Sequence, residues 1–380
     1  MYDFSSIKWI WQQKDWPDFH WQEEVVLPLL RNTRLKLGLL LGKASANGDS
    51  SDSHSALNTL LENIITSSAI EGERLNAQSV RSSLAKRLQL SGSEDVAYPT
   101  SERTEGLAEM MLDAITNLES PLTLDRLYQW HHWLFPDTGF SLQSIQAGQL
   151  RGDEPMQVVS GRIDRPTVHF EAPPRNQLEP ELSRFFDWFN QSKNDPTCDP
   201  LIRAAISHFW FVTLHPFDDG NGRLTRAITD LALAQADAQS IRLYAISTVI
   251  LENRKDYYNI LEQSQRDDTD ITHWLAWFLQ MLEATIQASL DKIDRTLHKT
   301  RFWQRFHNAG LSEEQVKVLN RLLDGGEKGF ESGISASQYQ KVAKVSKATA
   351  TRHLSNLMNK GCIEKLPGGG RSTRYQVVRI

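Results

Sequence analysis

The stretch His215-Pro-Phe-Asp-Asp-Gly-Asn-Gly-Arg-Leu-Thr-Arg226 decides how the rest of the chain is read. The apolar run from Leu201 to Leu214 before it predicts a buried helix, and a new helix is predicted to begin near Gly222. Between them lies a loop with two carboxylates and two glycines. The glycines let backbone N–H groups converge on one place, and a helix start adds its own free N–H groups and a positive dipole end, which is how proteins hold phosphate. Arg223 and Arg226, three apart in the first turn, share a face. Two cations there oppose the helix dipole, an arrangement that makes sense when a large anion such as a triphosphate lies between them. Asp219 is placed to hold the magnesium that accompanies polyphosphate. His215 is placed to take a proton from an incoming hydroxyl. The bland alternative is a helix junction with a capping acid, a core histidine and two surface arginines, and it leaves unexplained why all these types fall in one short stretch.

Outward from this stretch, helical spacing dominates. Apolar residues recur through Val26, Leu30, Leu37 and Leu41, then from Leu57 to Ile65, and again from Thr104 to about Leu134. Further helices are expected over 178–189, 223–236 and 257–297. Between Gln149 and Pro174 the chain turns short and punctuated, with Val158-Val159, Ser160-Gly161 and Thr167 to Phe170, which reads as a small hairpin. Strands do not alternate with helices, so the expected fold class is mainly α and a parallel α/β sheet is not expected. The tryptophans at 9, 11, 16 and 21 read as packing residues.

A separate unit is expected over 311–380. Helices over 312–323, 335–344 and 347–360, strands over 362–366 and 373–378 and a glycine tip between them give the order of a winged helix-turn-helix. From Ser335 onward nine Lys and Arg stand against one acid, Glu364, a net +8; with the whole chain at -5, the remainder carries -13. A basic unit joined to an acidic one points to DNA as a partner, through Lys347, Thr349, Thr351 and Arg352 near the start of the second helix of the motif and Arg371 and Arg374 by the wing. No run of about 18 apolar residues occurs and the start does not read as a signal peptide, so no membrane partner is expected and the cytoplasm is the expected compartment. Cys198 and Cys362 are too few for a disulfide framework.

The stretch 215–226 matches every specified position of HxFx(D/E)GNGRxxR, and on His215, Phe217, Asp219, Gly220, Asn221, Gly222, Arg223 and Arg226 the chain resembles the Fic family. The resemblance implies a Fic helical core over 104–290 with the hairpin as its flap, preceded by an N-terminal helical extension over 1–100. It implies a protein adenylyltransferase that uses ATP and Mg2+. His215 would be the general base for a Ser, Thr or Tyr hydroxyl of a target protein, Asp219 would hold magnesium, Gly220, Asn221 and Gly222 would form the anion hole, and Arg223 would meet the β and γ phosphates. Phe217 would hold His215 in place. Val168 and His169 of the flap would align the target segment as an added strand, and the adenine would lie near Tyr257, Tyr258 and Gln265. Related enzymes of the Doc type carry Lys where this chain has Gly222 and transfer phosphate instead.

Ser67-Ser-Ala-Ile-Glu71-Gly72 matches the family's inhibitory pattern (S/T)xxxE(G/N), on a helix expected over 56–72. A Glu71 carboxylate paired with Arg226 would occupy the cation meant for the γ-phosphate and hold the enzyme at low activity. The resemblance leaves open other donors (UMP, GMP, phosphocholine), removal of AMP, self-modification and a homodimer. The rival reading is a nucleotide-sensing, DNA-binding transcription regulator. His131 and His132 beside Trp130 and Trp133 lack partners at metal spacing and read as a helix face in the core.

Overall fold

The computed structural model describes residues 9–46, 49–90, 98–136, 145–162, 165–237, 243–266, 268–325, 330, 332–367 and 373–379. Arg371 and the glycine tip beyond Pro367 lie outside the described residues. In chain order the helices are α1 (Glu23–Ala46), α2 (Asp49–Ile70), α3 (Ala77–Arg87), α4 (Glu102–Thr116), α5 (Leu124–Leu134), α6 (Arg175–Ser192), α7 (Pro200–Leu214), α8 (Asn221–Asp237), α9 (Ile246–Glu252), α10 (Arg254–Ser264), α11 (Thr272–Phe306), α12 (Glu313–Asp324), α13 (Ala336–Ala343) and α14 (Lys347–Asn359). The strands are β1 (Gln157–Arg162), β2 (Arg165–Glu171), β3 (Ile363–Lys365) and β4 (Tyr375–Val377). They form two antiparallel pairs, β1 with β2 and β3 with β4, so the protein is mainly α.

The chain divides into two compact units, Met1–Gln287 and Ala288–Ile380. The first is organised around α7. Asp199 caps it, accepting from the amides of Leu201 and Ile202, and Pro200 fills the first turn, where a missing N–H costs nothing. Every residue from Leu201 to Leu214 is buried, as expected of a helix that is apolar all round. Each large side chain taken from water there contributes about 1.5–3 kcal/mol. α8 packs along α7, and α2, α4 and α5 all reach α8. This arrangement brings the end of α2 to the start of α8, which is what builds the site.

The hairpin β1–β2 carries a register shift between Val158 and Val159. The tryptophan-rich start packs on it: the Trp9 ring meets Phe170 edge-on at 5.4 Å, and Trp11 Nε1 donates to the carbonyl of Glu171 at 2.7 Å.

Three elements differ from the sequence expectation. α2 begins at Asp49, ahead of the start expected at about 56, because serines and aspartates are tolerated in the first turns of a helix. α3 was not expected; Asn76 caps it, and Val80 and Leu84 bury one face. α9 was not expected either, being seven residues long with no side-chain cap.

The second unit has its own core, in which Phe302, Leu319, Tyr339, Leu354, Cys362 and Val377 meet. Capping boxes start α12 at Ser312 and α13 at Ser335, and Ser346 caps α14. Lys347, Thr351 and Arg352 of α14 are exposed. Arg374 is not available in the same way, because its Nη1 donates to the Gly333 carbonyl at 2.9 Å.

Candidate active site

α7 ends at His215, whose backbone adopts a left-handed conformation (φ 47°) that turns the chain into the loop. Its Nδ1 donates to the carbonyl of Val212 at 3.1 Å, which leaves Nε2 with its lone pair. Burial pushes the imidazole below its ordinary value, and the bond to Val212 only partly opposes this. His215 is therefore neutral near pH 7, as a base must be. Arg151, buried to 2 % exposure, donates from Nε to the His215 carbonyl at 2.8 Å and from Nη2 to the carbonyl of Pro173 at the foot of the hairpin. One guanidinium thus braces both the histidine and the hairpin.

The loop is held by its own residues. Asn221 closes it on Phe217, accepting from that amide at 3.0 Å and donating to that carbonyl at 2.6 Å. The Asn221 side chain thereby shapes the loop. Phe217 is fully buried and stacks on His131 with ring centroids 4.3 Å apart. His131 accepts from Gly148 N at Nδ1 (2.9 Å) and donates from Nε2 to the Asp219 carbonyl (3.2 Å), the pattern of a neutral imidazole. Burial lowers its pKa accordingly. His131 is thus more than a helix face in the core: it holds the loop from below. Gly220 has φ 84°, and a Cβ there would meet Leu134 at 2.7 Å and Phe135 at 2.8 Å, so glycine is required.

The two arginines are buried, not superficial: Arg223 is 5 % and Arg226 1 % exposed. That removes the reading of them as surface residues. Arg226 donates from Nε to Ser67 Oγ (2.8 Å) and from Nη2 to the Ser67 carbonyl (2.9 Å) and Glu71 Oε1 (2.7 Å). Burial by itself would raise the Glu71 carboxyl, but the charge and hydrogen bond of Arg226 outweigh it and hold the group below its usual value. Gly222 lets Glu71 come close: a Cβ at 222 would stand 2.1 Å from Glu71 Oε1. Arg223 donates from Nη1 to Glu73 Oε2 at 2.6 Å, while its contact with Asp219 Oδ1 is 3.5 Å. Arg223 Nε and Arg226 Nη1 are buried donors without a hydrogen-bond acceptor among the described residues. Asp219 itself is 56 % exposed at its side chain.

The hairpin residues and the tyrosine pair separate. Val168 packs against Trp9 and Phe170, and His169 is tied by Nδ1 to Glu262 (2.7 Å) and by Nε2 to Ser160 (2.6 Å). Tyr257 is buried with its hydroxyl on His208 Nε2 at 2.9 Å, and Gln265 is buried with its amide on Thr213 at 3.0 Å. Tyr258 alone of the three expected near adenine is exposed, under the guanidinium of Arg254. Sequence reasoning missed Glu73, Arg103 and Arg151, read His131 only as a core residue, and named Ser67 only as the first position of the inhibitory pattern. Its place four before Glu71, and so on the same helix face, was the signal for its contact with Arg226.

Residues 121–233 match the Fic/DOC family, and residues 9–90 match a domain of unknown function, DUF4172. The chain is 24% identical over 229 residues to protein adenylyltransferase Fic of Nematostella vectensis, covering 60% of this chain and 48% of that protein. It is 29% identical over 143 residues to protein adenylyltransferase fic-1 of Caenorhabditis briggsae, covering 38% and 24%. The chain thus spans about half the length or less of these two curated relatives. A Fic domain containing signaling protein from Bacteroides thetaiotaomicron superposes with a TM-score of 0.50 at 18% identity, over 68% of this chain and 95% of that one, and shares the fold.

Proposed function

We propose that this chain, a Fic family protein, is a protein adenylyltransferase that moves AMP from ATP to a hydroxyl of a target protein and is held in check by Glu71. The observation that carries the reading is the pair of buried arginines at the start of α8, each occupied by a carboxylate and each with a further donor unsatisfied. Carboxylates on Arg223 and Arg226 stand where phosphate oxygens would bind.

In this reading His215 Nε2 takes the proton of the target hydroxyl while its oxygen attacks the α-phosphorus. The bond to the bridging oxygen breaks, and pyrophosphate leaves with the electron pair. Arg223 and Arg226 carry the charge of the departing phosphates. Asp219 offers one exposed carboxylate, which suits a magnesium ion that arrives with phosphate oxygens rather than one held in a protein cage. Magnesium bound there would neutralise phosphate charge.

Position 222 is glycine and not the lysine that Doc-type relatives carry, which supports nucleotidyl over phosphate transfer.

Parallel reactions with ATP labelled at the α- or the γ-phosphate test the reaction type in the Glu71→Gly variant. Protein label from the α position alone supports the proposal, and label from the γ position refutes it. The C-terminal unit, read as a winged helix-turn-helix, would meet DNA phosphates through Lys347, Thr351 and Arg352, and a gel shift that weakens with salt tests this.

A further inference from the structure

Glu71 is not the only carboxylate on the phosphate-binding arginines. Gly72 has φ 82°, with nothing within 4 Å of where its Cβ would be, so glycine serves there for conformation and not for space. The turn it makes at the end of α2 sends Glu73 to the same side as Glu71. Each arginine then has its own acid: Glu71 on Arg226 at 2.7 Å and Glu73 on Arg223 at 2.6 Å. Glu73 also accepts two hydrogen bonds from Arg103, from Nε to Oε1 at 2.9 Å and from Nη2 to Oε2 at 2.7 Å. Both guanidiniums lie over the ring of Phe135, Arg103 at 5.2 Å and Arg223 at 5.1 Å. The two cations share one ring and one carboxylate.

We propose that Glu73 is a second carboxylate that stands in for phosphate, occupying Arg223 as Glu71 occupies Arg226, so that nucleotide must displace two acids. The inference rests on the reading of this site as a nucleotide site. The bidentate bond to Arg103 gives Glu73 a place to remain once Arg223 turns to phosphate, so displacement breaks one contact and not the whole cluster. Removing Glu71 alone leaves Arg223 engaged, and the Glu71→Gly variant is therefore only partly released.

Binding of Mg·ATP measured by titration calorimetry on the full chain tests this without requiring turnover. Glu71→Gly/Glu73→Gln is expected to bind Mg·ATP about tenfold more tightly than Glu71→Gly, the ratio that one charge-assisted contact commonly sets. Glu71→Gly/Arg103→Met removes the same structural tie but leaves the acid on Arg223, and it is expected to show no gain. Equal affinity of Glu71→Gly/Glu73→Gln and Glu71→Gly overturns the inference while leaving the nucleotide site intact. An equal gain in both double variants also overturns it, since the triad would then act only as a structural tie. No binding of Mg·ATP in any variant overturns both this inference and the reading on which it rests.

Discussion

Glu71 Oε1 lies 2.7 Å from Arg226 Nη2 across 155 positions of sequence. The pair joins the C-terminal end of α2, where an anion opposes the helix dipole, to the second turn of α8, where the buried Arg226 cation needs a counter-charge. Pairing relieves both. A phosphate bound to Arg226 would relieve the cation equally well, and this is why the carboxylate and the nucleotide are expected to exclude one another.

Ser67 tunes that competition. Its hydroxyl and carbonyl both accept from Arg226, so Ser67→Ala removes one acceptor and leaves the other. Loss of this bond is expected to cost about 1 kcal/mol of stability. It also frees Arg226 Nε, so AMP transfer by the otherwise unaltered chain is expected to rise about two- to fivefold, the range for a weakened but intact ion pair. Denaturant melts and a transfer assay on the same preparation check both signs, and unchanged transfer removes Ser67 from the account.

His131 acts through the loop. His131→Phe keeps a ring beneath Phe217 but deletes the bonds to Gly148 N and the Asp219 carbonyl. In the Glu71→Gly background kcat is expected to fall about tenfold with a smaller change in KM for ATP, because the loop loses its registration with His215. A fall in KM-dependent binding with kcat intact would place His131 in the nucleotide pocket instead.

The pH dependence follows from burial. The His215 imidazole lies below 6.5 in the folded chain, so the folded state binds fewer protons than the unfolded state as pH falls through this region. Its contribution to stability is present above pH 6.5 and is lost as pH falls toward the folded value. His215 stays mainly neutral at pH 6.5, so kcat/KM of Glu71→Gly is expected to vary by no more than about twofold between pH 8 and 6.5 and to fall only at lower pH. Glu71 lies below 4.5 because Arg226 outweighs the effect of burial, so the parent chain is expected to stay braked over the same range. Activation of the parent on acidification from pH 8 to 6 contradicts this.

What could be read from sequence was what is local. His215, the glycines and the two arginines lie on one loop and one helix turn, so their spacing alone brings them together, and Gly72 ends α2 where the pattern places it. α3 escaped because Val80 and Leu84 are its only large apolar residues, too few to show a period, although Asn76 was a legible cap, and α9 escaped because it is only two turns long. Arg151, Arg103 and His131 act on the site from distant segments through hydrogen bonds, and no spacing records those. Tyr257 and Gln265, expected near adenine, have buried hydrogen-bond partners, His208 and Thr213, that no spacing records.

The most direct test compares the parent chain, Glu71→Gly and Glu71→Gly/His215→Ala, each incubated with magnesium and ATP labelled at the α-phosphate, with label on protein as the readout. The account predicts weak labelling of the parent, at least about tenfold more with Glu71→Gly, the factor that about 1.4 kcal/mol supplies, and a return to background when His215 is also replaced. Equal labelling of parent and Glu71→Gly, or labelling that survives loss of His215, would contradict it.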